Sequence, residues 1–257
     1  MKIFRYPSTA AGKKMKSIIG RDIDFRKTDV QAVSRILNDV KRNGDSALIR
    51  YNRQFDAPQM TVGALAVSPK EMAAAGKQVG RGFMRALNRA ISQIDSFHRQ
   101  QLPQSWIDTR RPGTLLGQMV NPVDAAGVYV PGGKGGKTPL VSSVLMGAIP
   151  ASIAGVPKVV MVTPPMPSGE VDPHLLVAAK KVGVDAVYKV GSAWAIGGLA
   201  YGTETIPKVN VIVGPGNIFV TLAKKIVAGT VGIDMVAGPS EILIIADETA
   251  NPDFTAA

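Results

Sequence analysis

From residue 127 onward the chain repeats one pattern four times: a short apolar run, a glycine-bearing turn, then a stretch with helical spacing. The runs at 127–130, 159–162, 186–190 and 209–213 have strand length, and the stretches 140–154, 173–182, 193–200 and 217–227 are patterned as helices. A strand that is apolar on both sides must be covered on both, and a helix after each strand returns the chain to start a parallel neighbour. The pattern predicts an α/β fold, a parallel sheet with helices on both faces. Ligands of such sheets bind beyond the carboxyl ends of the strands, where the glycine turns fall.

The first 110 residues follow another rhythm. Thr28 to Gln31 has the spacing of a capping box, and Val30, Val33, Ile36, Leu37 and Val40 fall on one helical face until Asn43-Gly44 stops it. Ser68 and Glu71 repeat the device before a helix carrying Phe83, Leu87, Ile91 and Ile94. Short strands are predicted at 64–67 and 115–120. The change of period near Gly127 predicts two domains: residues 1–126 together with 239–257 as a helix-rich, discontinuous one, and 127–238 as the other. In the last stretch, residues 241–246 (EILIIA) have strand length, and Asn251-Pro252 has the form of an N-cap followed by proline at the first helical position. The few residues after it are too short for a stable isolated helix, so the chain reads as the front part of a longer protein.

Composition narrows the function classes. There is no cysteine, hence no disulfide and no thiolate ligand or nucleophile, which fits a reducing cytoplasm. Residues 138–157 lack charge, but Pro139, Pro150 and Pro157 break them, so a buried helix and loop are expected and no membrane span. The net charge of +11 comes from residues 1–111, with 21 Lys and Arg against 9 Asp and Glu. These charges are dispersed without an aromatic platform, which argues for a solvated surface and against nucleic-acid binding.

Three glycine-proline turns share the predicted ligand end of the sheet. Residues 131–138 (PGGKGGKT) nearly match a phosphate-binding loop, but Pro131 stands where its first glycine belongs and lacks the N–H that such a loop aims at phosphate. The turn Gly214-Pro215-Gly216-Asn217 leads into a helix whose free amides suit an anion. The third turn, 237–240, offers the Ser240 hydroxyl. His98 and His174 stand apart, neither at a metal-ligand spacing, and no general base is evident in the turns.

Taken in order, GVYVPGGK (127–134), SSVLMGAIPASIAGV (142–156), VGSAWAIGGLAYGTETIPKV (190–209), GPGNIFVTLAKK (214–225) and GIDMVAGPSEILIIADETANPDF (232–254) resemble the histidinol dehydrogenases. The resemblance runs over essentially the whole chain. It implies two incomplete Rossmann-like α/β domains in a cytoplasmic homodimer. The implied activity is the last step of histidine biosynthesis, the zinc- and NAD-dependent oxidation of L-histidinol to L-histidine by two hydride transfers. Carried over by position, Tyr129 and Asn217 match NAD-contacting residues, and Ser240 matches a substrate-contacting one.

Two departures accompany the match. Trp194 stands where the family segment GAQAIAALA has a glutamine that contacts NAD. The family's metal ligands begin in a Gln-x-x-His segment beyond residue 257, and its catalytic Glu-His pair lies further on. No catalytic or metal-binding residue is therefore assigned within this chain, which is expected to be inactive alone. Two other readings are a non-catalytic α/β binding module and a dehydrogenase of another small hydroxy compound.

Overall fold

The computed structural model describes residues 3–20, 25–133, 138–238 and 244–256. Its centre is a sheet of five parallel strands: β3 (Ala126–Tyr129), β4 (Val159–Thr163), β5 (Ala186–Lys189), β6 (Val211–Val213) and β7 (Gly232–Ile233). Their order across the sheet is β5-β4-β3-β6-β7. The chain thus builds outward from β3 in one direction, then crosses back and builds in the other, as doubly wound sheets do. The predicted mixed α/β architecture is present. A further strand pair, β1 (Trp106–Asp108) and β2 (Leu116–Gln118), forms a separate antiparallel ribbon.

Alternation along β3 explains why both faces are covered. Val128 lies against Gly147 of α5 (Val141–Ile153), where a Cβ would come within 2.5 Å of its Cγ1. Its neighbour Gly127 lies against Leu199 of α7 (Ser192–Tyr201), on the opposite side of the pleat. On the α5 side, Val128, Val130 and Met161 pack with Val144, Leu145 and Leu175, the last from α6 (Pro173–Lys181). Helices α3 (Pro69–Ala75) and α4 (Arg81–Arg99) join that layer. On the α7 side lie α8 (Ile218–Val227) and the long α2 (Lys27–Phe55). Gly197 of α7 meets Leu37 and Val40 of α2, so two helices approach closely through a position without a side chain.

Several local expectations are met and others corrected. Ser68 accepts from Glu71 N at 3.2 Å while the Glu71 carboxylate accepts from Ser68 N at 2.8 Å, completing the predicted capping box of α3. The box expected at Thr28 does not form: α2 begins one residue earlier, at Lys27, and Asp29 in its first turn accepts from the Arg26 guanidinium instead. At Gly44 the helix breaks as expected, with φ +47, but helical structure then resumes to Phe55. The restart is capped from afar. Glu204 accepts from Asp45 N at 2.8 Å, and a Cβ on Gly44 would lie 2.2 Å from the same carboxylate.

The stretch expected as a strand at 64–67 is a 3₁₀ turn followed by one antiparallel bridge, from Ala66 to Tyr188. Val67 N donates to the Val187 carbonyl and Lys189 N to that of Leu65, which satisfies the open edge of β5. The run at 241–246 was expected to have strand length within the discontinuous domain, and the fifth strand of the central sheet is β7. Residues 244–246 carry no strand, and 241–243 lie outside the described residues.

Contacts group the chain into one unit of residues 26–236 and a second, smaller one formed within 1–25 and 237–257. Residues 26–126 thus group with the sheet, because α2, α3 and α4 supply the covering layers that its apolar strands require. In the smaller unit, α1 (Thr9–Ile19) is capped by Ser8, which accepts from Ala11 N. There too, Asn251 accepts from Asp253 N at 2.9 Å ahead of α9 (Pro252–Ala256), as its sequence predicted.

Candidate active site

The carboxyl ends of four strands open into one crevice of about 540 Å³. Tyr129 closes β3 and is followed by Pro131, Gly132 and Gly133; the turn after β4 supplies Pro164, Pro165, Met166 and Pro167. Ser192 opens α7 after β5, Asn217 stands before α8 after β6, and Phe55 and Asp56 at the end of α2 form one wall. β3 and β6 are the neighbours at which the strand order reverses. That is where open parallel sheets hold their ligands, because the turns on either side run apart.

Tyr129 is buried, and its phenol oxygen accepts from Ser192 N at 3.1 Å. Burial pushes its pKa up to about 12, with the Ser192 bond working against that shift and the Asp56 charge adding to it. The phenol therefore stays a neutral O–H donor at physiological pH. Ser192 has φ +48, a left-handed geometry that a non-glycine residue holds only when its surroundings impose it. The bond to Tyr129 is one such restraint, fixing the start of α7 against the end of β3.

The turn after β6 is held by an ion pair. Lys224 and Asp234 pair with each other; Lys224 Nζ donates to the Gly214 carbonyl at 2.9 Å, and Gly214 N donates to Asp234 at 2.9 Å. The Lys224 side chain is only 3% exposed. Gly214 has φ +120, and a Cβ there would lie 2.1 Å from the Tyr129 carbonyl oxygen, so only glycine lets this turn approach β3.

Asn217 is the N-cap of α8, accepting from Phe219 N and Val220 N at 3.1 Å each. This corrects the expectation of free amides for an anion. Those two N–H groups and that of Gly214 already have acceptors within the protein. Asn217 keeps its amide NH2 outside the cap.

The α2 wall differs. Asp56 Oδ2 is buried and has no hydrogen-bond partner among the described residues. Burial raises the pKa of its carboxyl to about 6. Behind this wall Trp194 is 5% exposed and stacks on both Tyr51 and Phe55, at ring-centroid distances of 5.5 and 5.6 Å. Its indole donates to Asn52 Oδ1 at 2.9 Å, and Asn52 Nδ2 donates to the Lys189 carbonyl at 2.7 Å. Trp194 is a core residue joining α7, α2 and the end of β5.

Tyr129 and Asn217, expected to share a ligand, do line one crevice. Ser240 lies outside the described residues, as do Lys134, Gly135, Gly136 and Lys137 of the phosphate-loop near-match. His98 pairs with Gln101 and His174 with Asp172, both away from the crevice lining. Phe55, Asp56 and the proline-rich turn were missed. Asp56 follows a helical run and precedes Ala57-Pro58, which marks a helix end but nothing of the fold that brings it to the sheet.

The histidinol dehydrogenase family model matches residues 21–257. The chain belongs to the histidinol dehydrogenase family. It is 58% identical over 226 residues to a histidinol dehydrogenase of Desulfotalea psychrophila, covering 88% of this chain and 52% of the relative. To that of Gloeobacter violaceus it is 52% identical over 225 residues, with 88% and 50% covered. The crystal structure of histidinol dehydrogenase from Elizabethkingia anophelis superposes with a TM-score of 0.84 at 39% identity, covering 95% of this chain and 55% of that one. The chain spans about half the length of the curated relatives it matches. No helix among the described residues is long and apolar enough to cross a membrane.

Proposed function

We propose that this chain supplies the NAD-binding crevice of a zinc-dependent L-histidinol dehydrogenase acting in histidine biosynthesis, with Ser240 contributing to the substrate site. The observation that carries this reading is the convergence of Tyr129 and Asn217 on one crevice at the strand ends of a chain in this family. The lining suits a dinucleotide. Phe55, Met166 and the prolines give apolar faces for a flat ring, while the Tyr129 hydroxyl and the Asn217 amide give directed donors. NAD, when bound, would accept the hydride. The residues of this chain bind and orient it and exclude water.

Zinc does not fit the described residues. Among them no group of three His, Cys, Asp or Glu side chains is placed to hold a metal ion, and tetrahedral zinc catalysis needs about three protein ligands. We assign the metal and the general base to the part of the relatives' length that this stretch does not span, in a cytoplasmic homodimer. Turnover by these 257 residues alone is not expected.

NAD affinity is expected to be modest, because Trp194 is committed to the core stack and to Asn52 rather than to a ligand. Calorimetric titration with NAD tests the reading. Tyr129→Phe and Asn217→Ala should each weaken binding about three- to tenfold, the effect of one or two hydrogen bonds. Unchanged binding in both variants would remove the crevice from the cofactor site.

A further inference from the structure

Asp56 is an unusual group to find in the wall of an apolar crevice. A carboxylate only accepts hydrogen bonds, and burial without a donor is costly in proportion to the charge withdrawn from water. Asp56 Oδ2 is in that position, and the residue that carries it lines the crevice beside Phe55. Three cations among the described residues are engaged elsewhere. Lys189 pairs with Glu71 and Lys224 with Asp234, and Arg53 donates to the Met60 carbonyl at 2.8 Å. The one other titratable group lining the crevice among the described residues is Tyr129, whose oxygen accepts from Ser192 N and whose hydroxyl makes no bond to Asp56 Oδ2. Among the described residues the second buried oxygen without a partner, Thr163 Oγ1, belongs to a neutral hydroxyl at the end of β4 and lies outside the lining.

We propose that the Asp56 carboxylate is a ligand-recognition group that accepts a hydrogen bond from a sugar hydroxyl of the nucleotide bound in this crevice. The proposal rests on the NAD reading and deepens it. The neighbours select the donor. The proline-rich turn and Phe55 offer apolar faces to a planar base, and a neutral hydroxyl next to that base meets the carboxylate without bringing a second charge into the apolar wall. A phosphate at the same point would be repelled. A ligand ammonium would be attracted, and it is the competing outcome of the test.

The ionised form is the acceptor, so binding is linked to its titration. Burial sets that titration near 6, Asp56 being neutral at low pH and charged at neutral pH. Nucleotide affinity therefore rises with pH through this range and levels off above it, and the bound ligand lowers the Asp56 pKa.

The experiment is calorimetric titration of the protein and of Asp56→Asn with NAD, adenosine and 2′,3′-dideoxyadenosine, at about pH 5 and about pH 8. NAD and adenosine should bind the parent roughly tenfold more tightly at the higher pH, which is the scale of one hydrogen bond to a charged group. Asp56→Asn should lose that gain, and dideoxyadenosine should bind parent and variant alike at both values. Asp56→Ser, which is smaller and neutral, checks that the loss follows charge rather than shape, with circular dichroism confirming the fold of each variant.

NAD binding that keeps its pH slope in Asp56→Asn would overturn this proposal and leave the NAD reading standing. So would affinity that falls as pH rises, or a dideoxy analogue as pH-sensitive as adenosine. Tighter binding of histidinol, an amine without a nucleoside, that depends on Asp56 would assign the carboxylate to a cationic ligand and overturn it too. Failure of NAD and adenosine to bind the parent at either pH would overturn both readings.

Discussion

On the floor of the crevice the buried polar groups are partnered within the protein, whereas the α2 wall holds a carboxylate oxygen with no partner among the described residues. Tyr129 is tied to Ser192, Asn217 to the first amides of α8, and Gly214 to Lys224 and Asp234. Asp56 has only the loss of water acting on it. The internal bonds of the floor hold its turns in register before a ligand arrives, and they leave the Tyr129 O–H and the Asn217 NH2 as donors. The wall carries unsatisfied bonding capacity, which a ligand can meet. The two sides thus differ in kind: the strand ends offer donors held by a completed scaffold, and the end of α2 offers an acceptor whose own oxygen lacks a partner among the described residues.

The comparison breaks most visibly if the floor can be loosened without cost. Lys224→Met leaves Asp234 and the Gly214 carbonyl without their cation and should destabilise the protein by about 3–4 kcal/mol, the lower part of the range for stranding one partner of a buried pair. Asp234 is 28% exposed and regains some water, which sets that lower figure. Urea unfolding measures it. A loss below about 1 kcal/mol would mean that the pair is a surface bridge and the floor is not held by charge.

Behind the wall, Trp194→Gln sharpens the contrast between a core position and a ligand contact. It removes the indole that packs on Tyr51 and Phe55, and a cost of about 2–3 kcal/mol is expected, somewhat below that of truncating a buried Trp to Ala. Thermal unfolding checks this. A stable variant with stronger NAD binding would show instead that the glutamine of the family segment reaches the crevice from here.

The smallest expected effect has the opposite sign. The Asp56 carboxyl titrates at about 6 in the folded chain against a model-compound value of 3.8, so between these values the folded state holds the proton that the unfolded state has lost. Stability is therefore greatest below the lower value and falls as pH rises through the upper one. Asp56→Asn should remove that fall and stabilise the protein at neutral pH by about 1–2 kcal/mol, less than the full linkage because the group is partly exposed. Denaturant midpoints recorded from about pH 4 to about pH 8 would reveal it. A destabilised variant would show that Asp56 has a structural donor and that the wall resembles the floor.

Much of the fold was legible because its signals are local. Alternating apolar runs and glycine turns place β3 to β6 and α5 to α8 within a few residues, and the Ser68 and Asn251 caps are written in adjacent side chains. One misreading is local, and the others involve partners distant in sequence. Thr28 has the spacing of a cap, but the Arg26–Asp29 pair forms in its place. Gly44 reads as a stop, yet Glu204, far along the chain, caps a restart. The two-residue β7 has too little sequence to show a period and exists because β6 offers it an edge.

At the site, the sequence by itself determined that a parallel sheet would present its turns at one end and that Tyr129 and Asn217 belong to them. Glycines that only a tight turn requires, and a helix start at Asn217, carry that information residue by residue. The tertiary structure alone decided that the end of α2 closes the crevice, that Trp194 lies in the core, and that Asp56 loses its water. These follow from how α2 packs on α7. The burial of a carboxyl and the neighbours of an indole depend on atoms brought together by folding, and no local pattern around Asp56 or Trp194 encodes them.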